Sequence, residues 1–213
     1  INGDRPGSRA LVQEAADAGM SAPELVSDVF WPTYERVEKL HRSDQLTRLA
    51  HRMATKLLRT LVDQNASRLP LARPSGESIL AFCGPNDADE LGAQMAVDLI
   101  EANGFNVRFA GGGIPGDEIM AQVHETRPNV LLMFASAPGD LPEIRRMIDQ
   151  MREIGAVPNL RIVVGGGVFN RAEGLAEEIG AHASATSPLD LVDLLSKPIA
   201  LPGKSVRKTR AAA

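Results

Sequence analysis

Aromatic side chains make up only 4% of this sequence, with one Trp and one Tyr in 213 residues. That leaves little from which to build a base-stacking platform for single-stranded nucleic acid. Cationic charge is not in excess either. The net charge is −4 and the isoelectric point about 5.6, the opposite of the basic surface that binds a phosphate backbone. A single cysteine, Cys83, excludes an internal disulfide framework and a Cys-cluster metal site, and suits a reducing compartment. It closes an apolar run, so packing is its expected job. No stretch approaches the roughly 18 to 20 consecutive apolar residues that span a bilayer, and no signal peptide opens the chain. The expectation is a cytoplasmic protein with no membrane contact. The first residue is Ile1 rather than Met, so a preceding N-terminal segment is expected.

What is present divides into two halves. From Ser8 to about Gln64, apolar residues recur at spacings of three and four: Leu25, Val26, Val29 and Phe30, then Leu46, Leu49, Met53, Leu57, Leu58 and Leu61. These stripes predict a small helical bundle over residues 8–64. Ser21 with Glu24 reads as a capping box opening the second helix, Ser43-Asp44 as the cap of the third, and Pro32 as a kink in the middle helix. Trp31 is expected to fill the bundle core. Residues 65–77, with Pro70, Pro74 and Gly76, carry no periodicity and read as a linker. Beyond it, short apolar runs at Ser78 to Cys83, Asn106 to Ala110, Asn129 to Phe134 and Leu160 to Val164 alternate with amphipathic stretches. A fifth short run lies near His182 to Ala185. This is the pattern of buried parallel strands with crossover helices, a five-stranded doubly wound α/β domain over residues 78–196. Residues 197–213, with Lys204, Arg207, Lys208 and Arg210, read as a basic, solvated tail.

Ligands of doubly wound sheets sit beyond the carboxyl ends of the strands, so the informative loops are 84–92, 111–117, 135–140 and 165–170. The first contains Asp87, Asp89 and Glu90, leading into a helix expected near Glu90. Paired carboxylates there suit acid/base work or a hard cation, or match the helix dipole as plain N-terminal acids. Gly165-Gly166-Gly167 lets backbone approach a ligand, without the companions of a nucleotide fingerprint. Gly111 to Asp117 reads as a turn with Asp117 as helix cap. Ser136 either donates to a ligand or satisfies local backbone.

The order of parts resembles the cobalamin-binding modules of methyltransferases, corrinoid proteins and light-sensing transcription regulators: a helical bundle, a linker, then a flavodoxin-like domain. That family's hallmark is D-x-H-x-x-G after the first strand. Here the matching segment is Asp87-Ala88-Asp89-Glu90-Leu91-Gly92, with Asp89 where the cobalt-ligating histidine belongs. The resemblance implies that Ser136, Gly165 and Gly166 line a slot for the displaced nucleotide tail. Light-sensing members carry Trp-His and Glu-His pairs in the bundle. The matching positions are Leu40-His41 and Ala50-His51, so His41 and His51 are candidates to face the ligand from above. His41 is also a candidate upper cobalt ligand. Against this stands a plain reading of both as polar-face helix residues.

A carboxylate is a harder donor than imidazole and a poor stand-in on cobalt. The reading that follows is a non-enzymatic sensor module, the effector part of a transcription regulator. It would bind cobalamin without the lower histidine, another tetrapyrrole, or no ligand. DNA would be reached only through a helix-turn-helix outside these residues, and a homo-oligomer is expected. The alternatives are a corrinoid carrier subunit of a methyltransferase system and a ligand-free dimerisation module.

Overall fold

The computed structural model describes residues 3–84, 87–155 and 157–197, and the side chains of Asp87 and Ala88 are outside that description. The basic tail expected over 197–213 therefore lies almost wholly outside the described residues.

The N-terminal half is helical throughout: α1 (Arg5–Asp17), α2 (Ala22–Glu24), a π turn (Leu25–Phe30), α3 (Trp31–Arg42) and α4 (Arg48–Ala66). The capping box forms as the sequence implies, with the Ser21 N–H donating to Glu24 Oε2 at 2.8 Å. Pro32 follows a π turn, one of the recognised causes of the kink expected here. Its ring removes one backbone donor, and the helix absorbs the loss by widening to a π turn in which the Trp31 N–H donates to the Val26 carbonyl. The Thr33 hydroxyl donates to the Val29 carbonyl at 2.6 Å, occupying one of the acceptors left over. The cap of α4 is Thr47, whose side chain accepts from the Ala50 N–H. Ser43-Asp44 instead close α3, with Asp44 in the left-handed region at φ 57°.

The C-terminal half is the expected sheet: β1 (Ser78–Cys83), β2 (Asn106–Gly112), β3 (Val130–Phe134), β4 (Arg161–Gly165) and β5 (Ala183–Ala185). Every pairing is parallel, in the order β2-β1-β3-β4-β5. This is flavodoxin-like topology, with its switch point between β1 and β3. The connections are α5 (Asp87–Ala102), α6 (Gly116–Thr126), α7 (Leu141–Ile154), and α8 (Gly167–Arg171) with α9 (Leu175–Glu178); α10 (Pro188–Leu195) ends the fold. α5 begins three residues earlier than Glu90. α6 begins at Gly116, so Asp117 lies inside its first turn and caps nothing.

Two cores result. On one face of the sheet the bundle, α5 and α10 share a single apolar cluster that runs from Leu25, Val26 and Phe30 through Leu58 and Val62 to Ile79, Leu91, Met95, Ile100 and Leu191. On the other, α6, α7 and α8 pack Ile119, Val123, Ile144, Met147, Ile148 and Phe169 against Leu80, Leu131 and Val164. The bundle is thus seated on the α/β half. Arg59 of α4 also meets the Glu90 carboxylate of α5 at 3.5 Å. The chain between α4 and β1 is pinned in passing, with the Ala72 and Ser75 N–H groups donating to the Ala102 and Gly104 carbonyls, each at 2.8 Å.

Candidate functional site

The carboxyl ends of β3, β4 and β5 meet α5, α10 and the bundle at a narrow cleft. Its walls are Asp89, Gly92, Ala93 and Ala96 from α5, Phe134 and Ser136 after β3, Gly166 after β4, and Ala185 to Pro188 with Leu191 from β5 and α10. Asp89, Gly92, Ser136 and Gly166, singled out in the sequence, converge here. Gly165 stays inside β4 behind the Phe134 ring, where a Cβ would lie 3.3 Å from two ring carbons. Gly166 serves packing as much as any ligand: at φ 101°, an added Cβ would sit 2.3 Å from the Ala135 carbonyl oxygen. The side chain of Asp87 lies outside the described residues. Phe134 lines this space, whereas Met133 and Phe169 belong to the core on the other face.

Two residues of the bundle close the cleft, and the sequence reading gave neither that role. Tyr34 is 7% exposed, and it lines the cleft together with Ser136. Its ring lies against Gly92, where a Cβ would meet the phenol oxygen at 3.1 Å and ring carbons at 3.2 and 3.4 Å. Trp31 is half-buried at the rim rather than inside the bundle core, tilted 34° against the Tyr34 ring with centroids 5.2 Å apart. Trp31, Tyr34, Glu38 and His41 are spaced three, four and three residues apart, one face of a helix. That spacing was the available signal. With both aromatics in place the cleft keeps about 20 Å³ of free volume, enough for a water or so.

The electrostatics of this pocket follow from burial. Asp89 is 3% exposed. Burial pushes the Tyr34 phenol well above its ordinary range, with the Glu38 and Asp89 carboxylates adding to the effect. Burial likewise pushes the Cys83 thiol up to about 12, helped by Glu90 and Asp89. That leaves an unreactive thiol at the end of β1. The Arg171 guanidinium donates to the Ser136 carbonyl oxygen at 2.7 Å. Burial and the nearby Arg42 draw its pKa down. Glu90, near the start of α5, also ties that helix to β2 by accepting from the Gly112 N–H at 3.3 Å.

His41 and His51 face one another. Their rings stack with centroids 4.0 Å apart, and His51 Nε2 lies 2.5 Å from Glu38 Oε1. None of Glu38, His41 and His51 lines the cleft, and seven residues separate His41 from Tyr34, about 10 Å along α3. Among the described residues no cluster of three or more His, Cys, Asp or Glu is arranged to hold a metal ion.

A parallel β2-β1-β3-β4-β5 sheet with a helical cap over its carboxyl edge, and a slot lined from α5, β3 and β4, is a flavodoxin-like domain joined to a helical bundle. The comparisons agree. Residues 77–192 match the B12 binding domain family, more than half of the chain, and the chain belongs to that family. It is 24% identical over 94 residues to a methanol corrinoid protein of Methanosarcina barkeri, covering 44% of this chain and 36% of that one. It is also 24% identical over 106 residues to dimethylamine corrinoid protein 1 of Methanosarcina acetivorans, covering 50% and 49%. The chain therefore spans between a third and a half of the length of these relatives. The monomethylamine corrinoid protein of Methanosarcina barkeri superposes with a TM-score of 0.81 at 17% identity, over 91% of this chain and 92% of that one. That likeness covers bundle and sheet together.

Two features of the site do not fit a cobalamin held in the usual manner. The donor at the motif's histidine position is a buried carboxylate, Asp89. The slot has about 20 Å³ free, far below the roughly 300 Å³ at which small-molecule pockets begin.

Proposed function

We propose that this chain is a corrinoid-binding regulatory module, in which Asp89, Gly92, Ser136 and Gly166 would hold a corrinoid at the carboxyl edge of the sheet and no histidine stands at the motif position to supply an imidazole. The observation that carries the reading is the convergence of Asp89, Gly92, Ser136 and Gly166 on one cleft sealed by the bundle's own Tyr34 and Trp31. A ligand arriving at that edge must meet the seam between bundle and sheet, so binding and the packing of the bundle are linked. A buried carboxylate supplies a hard, anionic donor where control of low-valent cobalt calls for a softer one, which favours sensing over methyl transfer. Among the described residues no helix is long and apolar enough to cross a membrane. Homo-oligomer formation, and contact with DNA through a segment outside these residues, belong to the same proposal.

The test is spectroscopic. Full-length protein mixed with hydroxocobalamin or aquocobinamide and passed over a gel-filtration column should co-elute with corrin absorbance, in a spectrum lacking the His-ligated signature. Asp89→His should then shift that spectrum towards the His-ligated form. No co-eluting absorbance with either corrinoid at micromolar protein would remove the reading. A second reading, a corrinoid carrier subunit, draws support from the shared arrangement of bundle and sheet with the monomethylamine corrinoid protein. It requires the loaded protein to cycle cobalt reversibly to its lowest oxidation state, which a redox titration reads directly.

A further inference from the structure

We infer that Tyr34 sets which corrinoids this chain accepts, favouring those that lack a nucleotide tail over those that carry one. The inference rests on the corrinoid-binding reading above and adds a specificity to it. The phenol is not a loose side chain that happens to fall across an opening. It is 7% exposed and shares the lining of the cleft with Ser136. It is packed on Gly92 so closely that a single added carbon there would lie 3.1 Å from its oxygen. Ser136 and Gly92 line the same cleft as Tyr34, so the ring fills the space that a tail entering there would need. The remaining volume of about 20 Å³ holds no further ring.

The backbone fixes this arrangement. Tyr34 follows the π turn at Leu25–Phe30, in which the Trp31 N–H donates to the Val26 carbonyl, five residues back. Each π turn inserts one residue, and one residue advances a helix by about 100°. The turn therefore determines the direction in which Tyr34 points. An all-α helix through Leu25–Phe30 would carry the phenol off the cleft. Pro32 has no N–H to give to that regular ladder, and the Thr33 hydroxyl already occupies the Val29 carbonyl at 2.6 Å, so the π register is favoured locally. The anchor behind it is Phe30, 1% exposed in the shared core. A tail must therefore displace a buried aromatic ring whose position is set by the chain. A tail-less corrinoid has no group that must enter there.

The experiment compares aquocobinamide, which has no nucleotide tail, with hydroxocobalamin, which has one, by equilibrium titration of the full-length protein. Native protein should hold aquocobinamide at least about tenfold more tightly, within the range that steric exclusion in a pocket delivers. Tyr34→Ala should change the ratio of the two affinities by about tenfold or more in favour of hydroxocobalamin. Tyr34→Phe, which removes only the hydroxyl, should keep most of the native preference. Tyr34→Leu keeps apolar bulk at the seam without the phenol, and carries the test if circular dichroism shows that Tyr34→Ala is poorly folded. Equal native affinities, or a ratio unmoved by both Tyr34→Ala and Tyr34→Leu, would overturn the specificity while leaving corrinoid binding intact. Binding of neither probe by any variant would overturn both.

Discussion

The two faces of the sheet are built differently. All five buried polar or charged side chains among the described residues, Glu38, Thr55, Asn65, Asp89 and Asp98, lie in the bundle or on α5. The face covered by α6 and α7 buries only apolar side chains among them. Burying polar groups costs free energy unless each is satisfied. Asn65 is only partly satisfied: its side-chain N–H donates to the Ala22 carbonyl at 2.9 Å, tying the end of α4 to α2, while its Oδ1 is buried without a partner. A fold needs no such groups to hold one face of a sheet, as the other face demonstrates. Their concentration on the bundle side marks the seam as the part adapted to do something, and the α6–α7 side as support.

The contrast breaks most readily at Phe30. Its side chain joins the bundle to the α/β core, and Phe30→Ala should lose about 3 to 5 kcal/mol. Urea unfolding followed by Trp31 fluorescence, which reports the bundle, and by far-UV circular dichroism, which reports the whole, should give coincident transitions. Separated transitions would show that the bundle is an independent unit and not half of a shared core. The counterpart on the other face is Ile148 of α7, fully buried. Ile148→Ala should lose about 2 to 4 kcal/mol while leaving the native Trp31 emission unmoved, because the cavity opens on the far side of the sheet. An emission shift would mean that the two faces are coupled.

The sheet was legible because each strand is a short apolar run with a breaker behind it. Ser78–Cys83 matches its expected limits, and the other strands differ by at most two residues. The capping box at Ser21 was legible for the same reason, since its signal is local. What escaped depends on contacts between distant segments. Pro32 announces a disturbed helix, but whether the helix bends or widens depends on the core behind it, where Phe30 must point inward. Nothing in the spacing of Asp87 to Gly92 says that a tyrosine more than fifty residues earlier would lie on Gly92. His41 and His51 were identified in sequence, yet their mutual stacking and the bond to Glu38 arise from how α3 and α4 cross.

A smaller effect sharpens the comparison through charge. Asp98 lies on α5 near Asp63 of the bundle, and burial raises its carboxyl to about 6, with the Gln94 side chain opposing the shift by donating to Oδ1 at 2.5 Å. A carboxyl whose folded pKa exceeds its unfolded one contributes stability that is complete below about pH 4 and lost as pH rises through about 6. At pH 7.5 Asp98 is therefore a burden on the seam. Asp98→Asn keeps the acceptor for Gln94 and should stabilise by about 1 kcal/mol, discounted from the full shift for residual solvent contact. It should also flatten the thermal midpoint between pH 5 and 7.5. A variant with unchanged pH dependence would place the titrating group of the seam elsewhere.

The smallest expected change in stability comes from Gly92→Ala. Alanine in the interior of α5 gains about 1 kcal/mol of helix propensity over glycine. The new methyl would press on Tyr34 at 3.1 to 3.4 Å, tighter than ordinary contact. The two effects oppose one another, and the net change should stay within about 1 kcal/mol. Tyr34 cannot retreat into the core occupied by Phe30 and Leu91, so it must yield towards the rim and carry Trp31 with it. The measurable result is a shift in the Trp31 emission maximum with almost no change in the unfolding midpoint. A large loss of stability without an emission shift would mean that the phenol is held rigidly. The seam would then resemble the apolar face in stiffness, and the distinction between a working face and a supporting one would fail at the point where it is most specific.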